Sequence, residues 1–107
     1  MLVTIHLIDE LTIAPHRRAE LLRRLTSEYL PLVGQSGLQC ARAVCHPPDD
    51  VPEDPTYVVL WWELDDVAAL WKRRAQALAG PEADFWSDVA PMLLDRSRRY
   101  YTDLELG

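Results

Sequence analysis

Histidine is the side chain best suited to proton transfer near neutral pH, and the chain contains three: His6, His16 and His46. His6 lies in the middle of a predicted central strand, where small changes in environment move a histidine pKa across neutrality, as a general base requires. His46 precedes a proline at a strand end and His16 lies in a predicted first helical turn, so we expect both at the surface. His6 is therefore the candidate catalytic residue. The alternative is a core or interface histidine bonded to a neighbouring hydroxyl.

Metal and nucleotide chemistry have no recognisable signature in the chain. No HxH, HExxH or CxxC spacing occurs, and Cys40 and Cys45 have no partner ligand at zinc-site spacing. No glycine-rich phosphate loop is present, since the four glycines are Gly34, Gly37, Gly80 and Gly107. We therefore predict neither a metal nor another cofactor.

A flat apolar pocket with a few hydroxyl groups is the second feature that could carry function. Trp61 and Trp62 are neighbours on a predicted strand, so one must face the helices and the other the opposite side of the sheet. The residues predicted to line a substrate pocket are Tyr29, Trp61, Trp62, Trp71, Trp86 and Tyr100. The alternative is that these aromatic residues form the core and a subunit interface. Arg42 and Glu63 are charges on apolar strands that could pair, bind an anionic substrate or lie at exposed strand ends.

Hydrophobic periodicity predicts the elements that must position these residues, in the order β-α-β-β-α-(α)-β. Strands are predicted over residues 2–9, 38–46, 57–64 and 97–105. The first helix is expected to begin between Thr12 and Pro15, with Pro31 kinking or ending it. Its predicted apolar stripe consists of Leu22, Leu25, Tyr29 and Leu32.

Two further helices are predicted between the third and fourth strands. Asp65 or Asp66 is expected to cap the first of them, and Gly80–Pro81 to separate it from the second. The apolar positions predicted for the two helices are Val67, Leu70, Trp71, Ala75 and Leu78, then Phe85, Trp86, Val89, Met92 and Leu93. Cys40 and Cys45 lie five positions apart on one strand, which predicts opposite faces, no disulfide and burial as small hydrophobic residues.

This order of elements predicts a ferredoxin-like α+β subunit, in which a four-stranded antiparallel sheet carries its helices on one face. The strands over residues 2–9 and 57–64 are apolar on both sides, so the face away from the helices would remain apolar. A homodimer with two sheets packed face to face would cover it. We accordingly expect Trp61→Asp and Trp62→Asp to disrupt either the dimer or the core.

Composition limits the remaining possibilities. The chain of 107 residues is expected to form a single domain, 1–107, with a net charge of −6 and a pI of about 4.9. That charge disfavours a nucleic-acid partner. No apolar run of about 18 residues predicts a membrane span, and the first residues lack the pattern of a signal peptide, so a cytoplasmic location is expected.

Several motifs resemble those of the NIPSNAP family within the dimeric α+β barrel superfamily. They are YVVLW at 57–61, DDVA at 65–68, RRAxA at 73–77, FWxxVxPML at 85–93, and upstream Ala14-Pro15, Tyr29-Leu30-Pro31-Leu32 and Ser36-Gly37-Leu38. The resemblance covers residues 3–100 and departs from the family at His16, where glycine is common, and in the acidic loop 47–55. It implies a ferredoxin-like subunit, a barrel formed by two sheets, and a cavity between sheet and helices. It carries over no catalytic residue.

Relatives in that superfamily include cofactor-independent monooxygenases and cyclases of polyketides, muconolactone-type isomerases, haem-handling proteins and members with no known chemistry. The resemblance and His6 together favour a cofactor-independent enzyme acting on a hydrophobic aromatic or polyketide-like molecule, by cyclisation, isomerisation or oxygenation. The alternative is a non-catalytic dimeric module that binds a small molecule or a protein. A haem protein with His6 or His46 as axial ligand is the third hypothesis.

Overall fold

A computed structural model describes residues 4–35, 38–77 and 80–106 of the chain. Strand β1 spans Ile5–Ile13. A continuous helix follows, made of α1 (Arg18–Arg24), a π-helical turn (Leu25–Tyr29) and α2 (Leu30–Gly34). The remaining elements are β2 (Gln39–His46), β3 (Thr56–Leu64), α3 (Val67–Ala77), α4 (Pro81–Val89), a short 3₁₀ turn (Ala90–Met92) and β4 (Leu93–Thr102).

The four strands form one sheet in the order β2-β3-β1-β4, and every neighbouring pair is antiparallel. This is the predicted ferredoxin-like arrangement. Alternate residues of β1 and β3 are buried against the helices, as the two-residue period of a strand requires. The molecule is only 19 Å thick along its shortest axis, which is the thickness of one sheet and one layer of helices. The opposite face of the sheet is therefore uncovered in the single chain.

The core lies between the sheet and the helices. Leu7, Leu11 and Ile13 of β1 are at most 2% exposed and face the first helix and α4. The other fully enclosed hydrophobic residues are Leu21, Tyr29, Val33, Trp62 and Val89. Each side chain of this size contributes roughly 1.5–3 kcal/mol when buried, so this one face accounts for most of the hydrophobic stabilisation.

The first helix continues through Pro31 to Gly34, so the predicted end at Pro31 is wrong. Proline lacks an N–H and its ring crowds the carbonyl four residues earlier. The π-helical turn at Leu25–Tyr29 lies immediately before it and widens the hydrogen-bond ladder there. It also shifts the apolar stripe. Its fully buried residues are Leu21, Leu25, Tyr29 and Val33, whereas Leu22 and Leu32 of the predicted stripe are only partly buried.

Strand β1 extends to Ile13 rather than ending at residue 9, and the predicted residues 2 and 3 lie outside the described part. The chain turns at Pro15 and His16 before the helix begins, and the His16 N–H donates to the Pro52 carbonyl at 2.9 Å. His16 adopts φ +67°, a left-handed conformation that glycine tolerates best. A histidine at this position therefore carries a backbone cost that a glycine would avoid.

Strand β4 begins at Leu93 and ends at Thr102, whereas the prediction was residues 97–105. Met92 lies in the 3₁₀ turn and Leu93 in the strand. The prediction that both residues belong to the preceding helix was therefore wrong. The Met92 carbonyl accepts a hydrogen bond from the Ala14 N–H at 2.8 Å, which ties the start of β4 to the end of β1. The bounds of β4 thus go with its pairing to β1, which local periodicity does not encode.

Strand β2 is an edge strand that is exposed along its whole length. Its pairing with β3 shifts between Cys40 and Arg42, where one extra residue forms a bulge. Cys40 is paired with Trp62 and Cys45 with Val58, so both lie on the helix side. The prediction of opposite faces was wrong because the bulge adds one residue. Both thiols are free and exposed, which also corrects the expected burial.

Helix α3 begins as predicted, with the Asp66 carboxylate accepting from the Ala69 N–H at 2.8 Å. Its predicted apolar face is wrong, however, because Trp71 is 60% exposed while Arg73 is 1% exposed. Leu78 lies outside the described residues. Gly80 adopts φ +84° and Pro81 opens α4, which confirms the predicted break between the two helices.

Candidate functional site

The sheet divides the predicted site residues into two groups. His6 and Trp61 lie on the side away from the helices, which we call the open face. It is defined by His6, Ile8, Val44, Tyr57, Val59, Trp61 and Tyr101. Tyr29, Trp62, Trp86 and Tyr100 lie on the helix side, while Trp71 is exposed on α3. The predicted residues therefore do not form one pocket.

His6 is held between two side chains on the open face. The indole N–H of Trp61 donates to His6 Nδ1 at 3.1 Å, and His6 Nε2 lies 2.9 Å from a carboxylate oxygen of Asp103. Because an indole nitrogen is only a donor, Nδ1 carries no proton and Nε2–H donates to the carboxylate. The tautomer and ring orientation of His6 are thus set, in the manner of a histidine held by an acidic residue in a catalytic dyad. His6 itself is 15% exposed, whereas Asp103 is 76% exposed.

A cavity of about 400 Å³ lies beside this histidine. Its walls are mostly apolar, and they are formed by His6, Ile8, Val59, Trp61, Tyr101, Thr102, Asp103 and Leu104. The volume lies within the range of small-molecule sites, and the few polar groups are grouped at the end near His6. Asp103 lies just past the end of β4 and was not singled out in the sequence. The sequence does not show that Asp103 lies near His6, because this follows only from the register of β1 and β4.

A second cavity of about 290 Å³ adjoins the first on the open face. Arg42, Val44, Val59 and Trp61 line it, so Val59 and Trp61 belong to both cavities. Arg42, noted in the sequence as a charge on an apolar strand, therefore stands at the edge of the open face. Glu63 is exposed and is paired with His6 in register on the neighbouring strand, also on the open face.

Large hydrophobic side chains are exposed across the open face. Tyr57 is 50% exposed, Val44 46%, Tyr101 44% and Trp61 40%. They come from strands β2, β3 and β4, so exposed apolar side chains are spread across the sheet. Large exposed apolar surface is a feature of interaction sites.

The helix side contains a different, more apolar cleft between the first helix and strands β2 and β3. Its volume is about 280 Å³. Tyr29 and Trp62 form its inner wall and Leu22, Leu25, Ala43 and Cys45 are among the residues at its sides. Burial raises the pKa of the Tyr29 hydroxyl, with the charge of Arg98 acting in the opposite direction. No histidine lines this cleft.

A buried polar network lies behind this cleft and was missed in the sequence. Arg98 donates to both carboxylate oxygens of Asp9, at 2.7 and 3.0 Å, and to the Tyr29 hydroxyl at 2.8 Å. Trp62 donates to the same carboxylate at 3.0 Å. Asp9 is completely buried, and burial lowers the pKa of Arg98, but the hydrogen bonds and charge of Asp9 raise it more. One sequence signal could have found Asp9: the two-residue period of a strand places it on the same face of β1 as Leu7 and Leu11.

Among the described residues, no three histidine, cysteine or acidic side chains come together as metal ligands. No helix of the described chain is long and apolar enough to cross a membrane.

Comparison with known proteins identifies the fold. No family model and no curated protein matches the sequence. Solved structures do: a NIPSNAP domain protein from Burkholderia xenovorans has a TM-score of 0.72 at 18% identity, with 94% of each chain covered. A NIPSNAP family protein from Agrobacterium tumefaciens strain C58 has a TM-score of 0.74 at 12% identity, covering 100% of this chain and 91% of that one.

The fold is thus the ferredoxin-like fold of NIPSNAP domain proteins, as the motifs implied. The Burkholderia protein is described as uncharacterized, so the likeness brings a fold and no activity.

Proposed function

We propose that the chain forms a homodimeric, cofactor-independent enzyme that performs acid/base chemistry on a hydrophobic aromatic or polyketide-like molecule, with His6 as the proton acceptor. The observation that carries the proposal is an oriented histidine in an apolar cavity of about 400 Å³. A general base must be correctly oriented and have a free lone pair. Nδ1 of His6 is unprotonated, and Nε2 is held by the carboxylate of Asp103.

The chemistry follows from the two nitrogens of His6. Nδ1 takes a proton from the substrate, and the substrate group replaces the Trp61 indole as its hydrogen-bond partner. Asp103 stabilises the imidazolium that forms by accepting from Nε2–H. The proton then returns to another atom of the same molecule. This balances an isomerisation or a ring closure without a further reagent, whereas an oxygenation would also consume dioxygen.

Pairing of two open faces completes the proposed site. A second copy of the chain would cover the exposed hydrophobic residues of the open face and close the cavity beside His6. Excluding water in this way strengthens the electrostatic effect of Asp103 on His6. The support for the homodimer is the set of large hydrophobic side chains exposed on the open face. A cytoplasmic location, expected from the sequence, is part of the same proposal.

A non-catalytic dimeric binding module is the second candidate, and one observation favours it. The basic nitrogen of His6 is already occupied by Trp61. The cleft between the first helix and strands β2 and β3 is apolar, and no histidine or acidic residue is among the described residues that line it. Such a cleft suits retention of a hydrophobic ligand without reaction. The two functions differ in whether His6 is needed for turnover.

The test is conversion of a metabolite in an extract of the producing organism. Purified wild-type protein, His6→Gln and the control His46→Gln are each incubated with the extract, and mass spectrometry follows the small molecules. His46 is a suitable control because it is exposed at the far end of the open face, opposite Tyr57. We expect one hydrophobic mass to be converted by wild type and His46→Gln, with at least about a hundredfold loss for His6→Gln.

Native mass spectrometry of the freshly purified protein accompanies this test. A dimer that retains a hydrophobic small molecule unchanged, together with no conversion in any extract, would support the binding module instead. Conversion at equal rates by wild type and His6→Gln would remove His6 from the mechanism. A monodisperse monomer would overturn the homodimer.

A further inference from the structure

A further cavity lies on the helix side of the sheet, between α4 and β4. Its volume is about 470 Å³. Trp86, Ser87 and Ala83 line it from α4, and Ala90 lines it from the 3₁₀ turn. Arg96 and Arg98 line it from β4, with Glu82 also at its edge. This cleft, which we call the arginine cleft, is separated by the sheet from the His6 cavity. Its walls combine one flat aromatic side chain with two cations, which is unusual on a protein of net charge −6.

Two of the charged groups in the arginine cleft are already neutralised. Arg98 is bonded through two of its nitrogens to the buried carboxylate of Asp9. The Glu82 carboxylate accepts a hydrogen bond from Arg73, which is itself 1% exposed. Asp9 and Glu82 are therefore each already paired with an arginine, so neither is free to form an ion pair with another cation in the cleft.

Arg96 is the cation that remains. In the part of the chain that the structure describes, no carboxylate lies within ion-pair distance of it. Its guanidinium carbon lies 3.9 Å from the centre of the Trp86 ring, so the side chain is positioned by a cation–π contact while remaining accessible to solvent. Burial lowers the pKa of Arg96, and the neighbouring charge of Arg98 lowers it further. Two carboxylates, Asp9 and Glu82, balance only two of the three positive charges of Arg73, Arg96 and Arg98. One positive charge is therefore left uncompensated.

We infer that the arginine cleft binds the carboxylate group of a small organic acid, with Arg96 as the principal ligand. The planar fork of a guanidinium matches a carboxylate in a bidentate geometry, and one excess positive charge matches a single anion. The Ser87 hydroxyl provides a further donor, and Trp86 with the two alanines provides an apolar wall for the body of the acid. Polyanions such as nucleic acids are disfavoured by the overall negative charge.

The site does not depend on the chemistry proposed for His6. The two cavities share no lining residue and lie on opposite faces of the sheet. Loss of one function would therefore leave the other measurable.

Benzoate is the probe for this inference, and its neutral isostere benzamide is the matched comparison. Both are titrated into ¹⁵N-labelled protein at constant ionic strength, and the assigned signals of Trp86, Ser87 and Arg96 are followed. We expect saturable shifts at these three residues with benzoate and at least about tenfold weaker binding of benzamide, since a hydrogen-bonded charge pair is lost. Inorganic phosphate is titrated as a third probe.

Arg96→Gln is the variant, and Arg99→Gln is its control. Arg99 is the neighbour of Arg98 on β4, but it is paired with Ile8 on the open face and is exposed. We expect Arg96→Gln to weaken benzoate binding by roughly tenfold or more, and Arg99→Gln to leave it within twofold. Arg96→Lys keeps the charge without the fork and should give an intermediate affinity.

Three results would overturn the inference. Equal shifts with benzoate and benzamide would show that charge is not recognised, and this comparison needs only the wild-type protein. Equal weakening by Arg96→Gln and Arg99→Gln would show a general surface effect. Phosphate binding as tight as benzoate would show that the cleft takes a bare oxyanion rather than an organic acid.

Discussion

Asp9 and Arg98 are paired directly across strands β1 and β4, and their side chains form a two-point ion pair at 2.7 and 3.0 Å. The pair is enclosed on the helix side, where Asp9 is fully buried. Tyr29 and Trp62 bond to the same pair, so it connects the first helix to three of the four strands. A buried pair of this kind stabilises little over a hydrophobic substitute, but it is costly to break on one side only.

Replacing either partner alone should therefore be costly, and the two losses should not add when both partners are replaced. We expect Asp9→Asn and Arg98→Met each to lower the free energy of unfolding by about 3–5 kcal/mol, because each disrupts a buried, hydrogen-bonded charge pair. The double variant should cost clearly less than the sum of the two. Urea denaturation followed by circular dichroism measures all three. Arg99→Met on the open face is the control, with an effect within about 0.5 kcal/mol. Additive losses would mean that the pair is not coupled.

Trp61 and Trp62 should respond oppositely to the introduction of a charge. Trp62 is 1% exposed in the core, so Trp62→Asp should prevent stable folding by burying an unpaired carboxylate. Trp61 is 40% exposed on the open face, so Trp61→Asp should leave the subunit folded and convert the proposed dimer into a monomer. Sedimentation velocity and circular dichroism separate the two effects. A Trp61→Asp protein that remains dimeric would place the subunit contact elsewhere.

Tyr29 should make the protein sensitive to alkaline pH. Burial raises its pKa, so the folded chain holds the phenolic proton more tightly than the unfolded chain does. The corresponding stability is complete below about pH 10, where tyrosine of the unfolded chain begins to ionise, and is lost as the pH rises through the folded-state pKa. Tyr29→Phe should cost about 1–3 kcal/mol at pH 7 through the lost hydrogen bond from Arg98, yet weaken this alkaline decline.

Urea midpoints between pH 7 and pH 11 measure the effect of Tyr29. Tyr57→Phe is the comparison, because Tyr57 is 50% exposed on the open face. The same alkaline slope in Tyr29→Phe and wild type would show that another group controls the decline.

His16 should be replaceable by glycine without loss of stability. Its left-handed backbone, at φ +67°, costs a non-glycine residue about 1 kcal/mol, and the side chain is exposed. His16→Gly removes that strain but gives the unfolded chain more freedom, so we expect a change between zero and about 1 kcal/mol of stabilisation. His16→Val should lower the free energy of unfolding by about 1–2 kcal/mol, because a β-branched residue is least tolerant there. Thermal melting of both variants measures this order. A glycine variant less stable than the valine variant would contradict it.

The candidate site could be predicted only in part from the sequence. His6 was identified because a titratable residue in an apolar strand is visible by inspection. Its partner Asp103 was not, because the two lie 97 positions apart and meet only through the register of β1 and β4. The bulge in β2 changed the face of Cys45 for the same reason, since it depends on pairing with β3 rather than on local pattern.

Buried charge was the least predictable feature. Trp71 was predicted as an apolar position of α3 and Arg73 was not, yet Arg73 is buried against Glu82 and Trp71 is exposed. Hydrophobicity ranks the two residues the other way. Only a carboxylate supplied by the next helix makes burial of the guanidinium tolerable, and that partner lies outside the window in which periodicity operates.

The sequence by itself determined the order of elements, the ferredoxin-like sheet and the opposition of Trp61 and Trp62, because these follow from backbone periods of 2 and 3.6 residues that act locally. Only the tertiary structure decided that Trp62 faces the helices, that Asp9 meets Arg98, and that Arg96 lies over Trp86 with no ion-pairing carboxylate among the described residues. Those outcomes depend on strand register and helix docking, which join residues distant in the chain. The fold could thus be predicted from short-range rules, whereas the groups available for chemistry were set by long-range pairing.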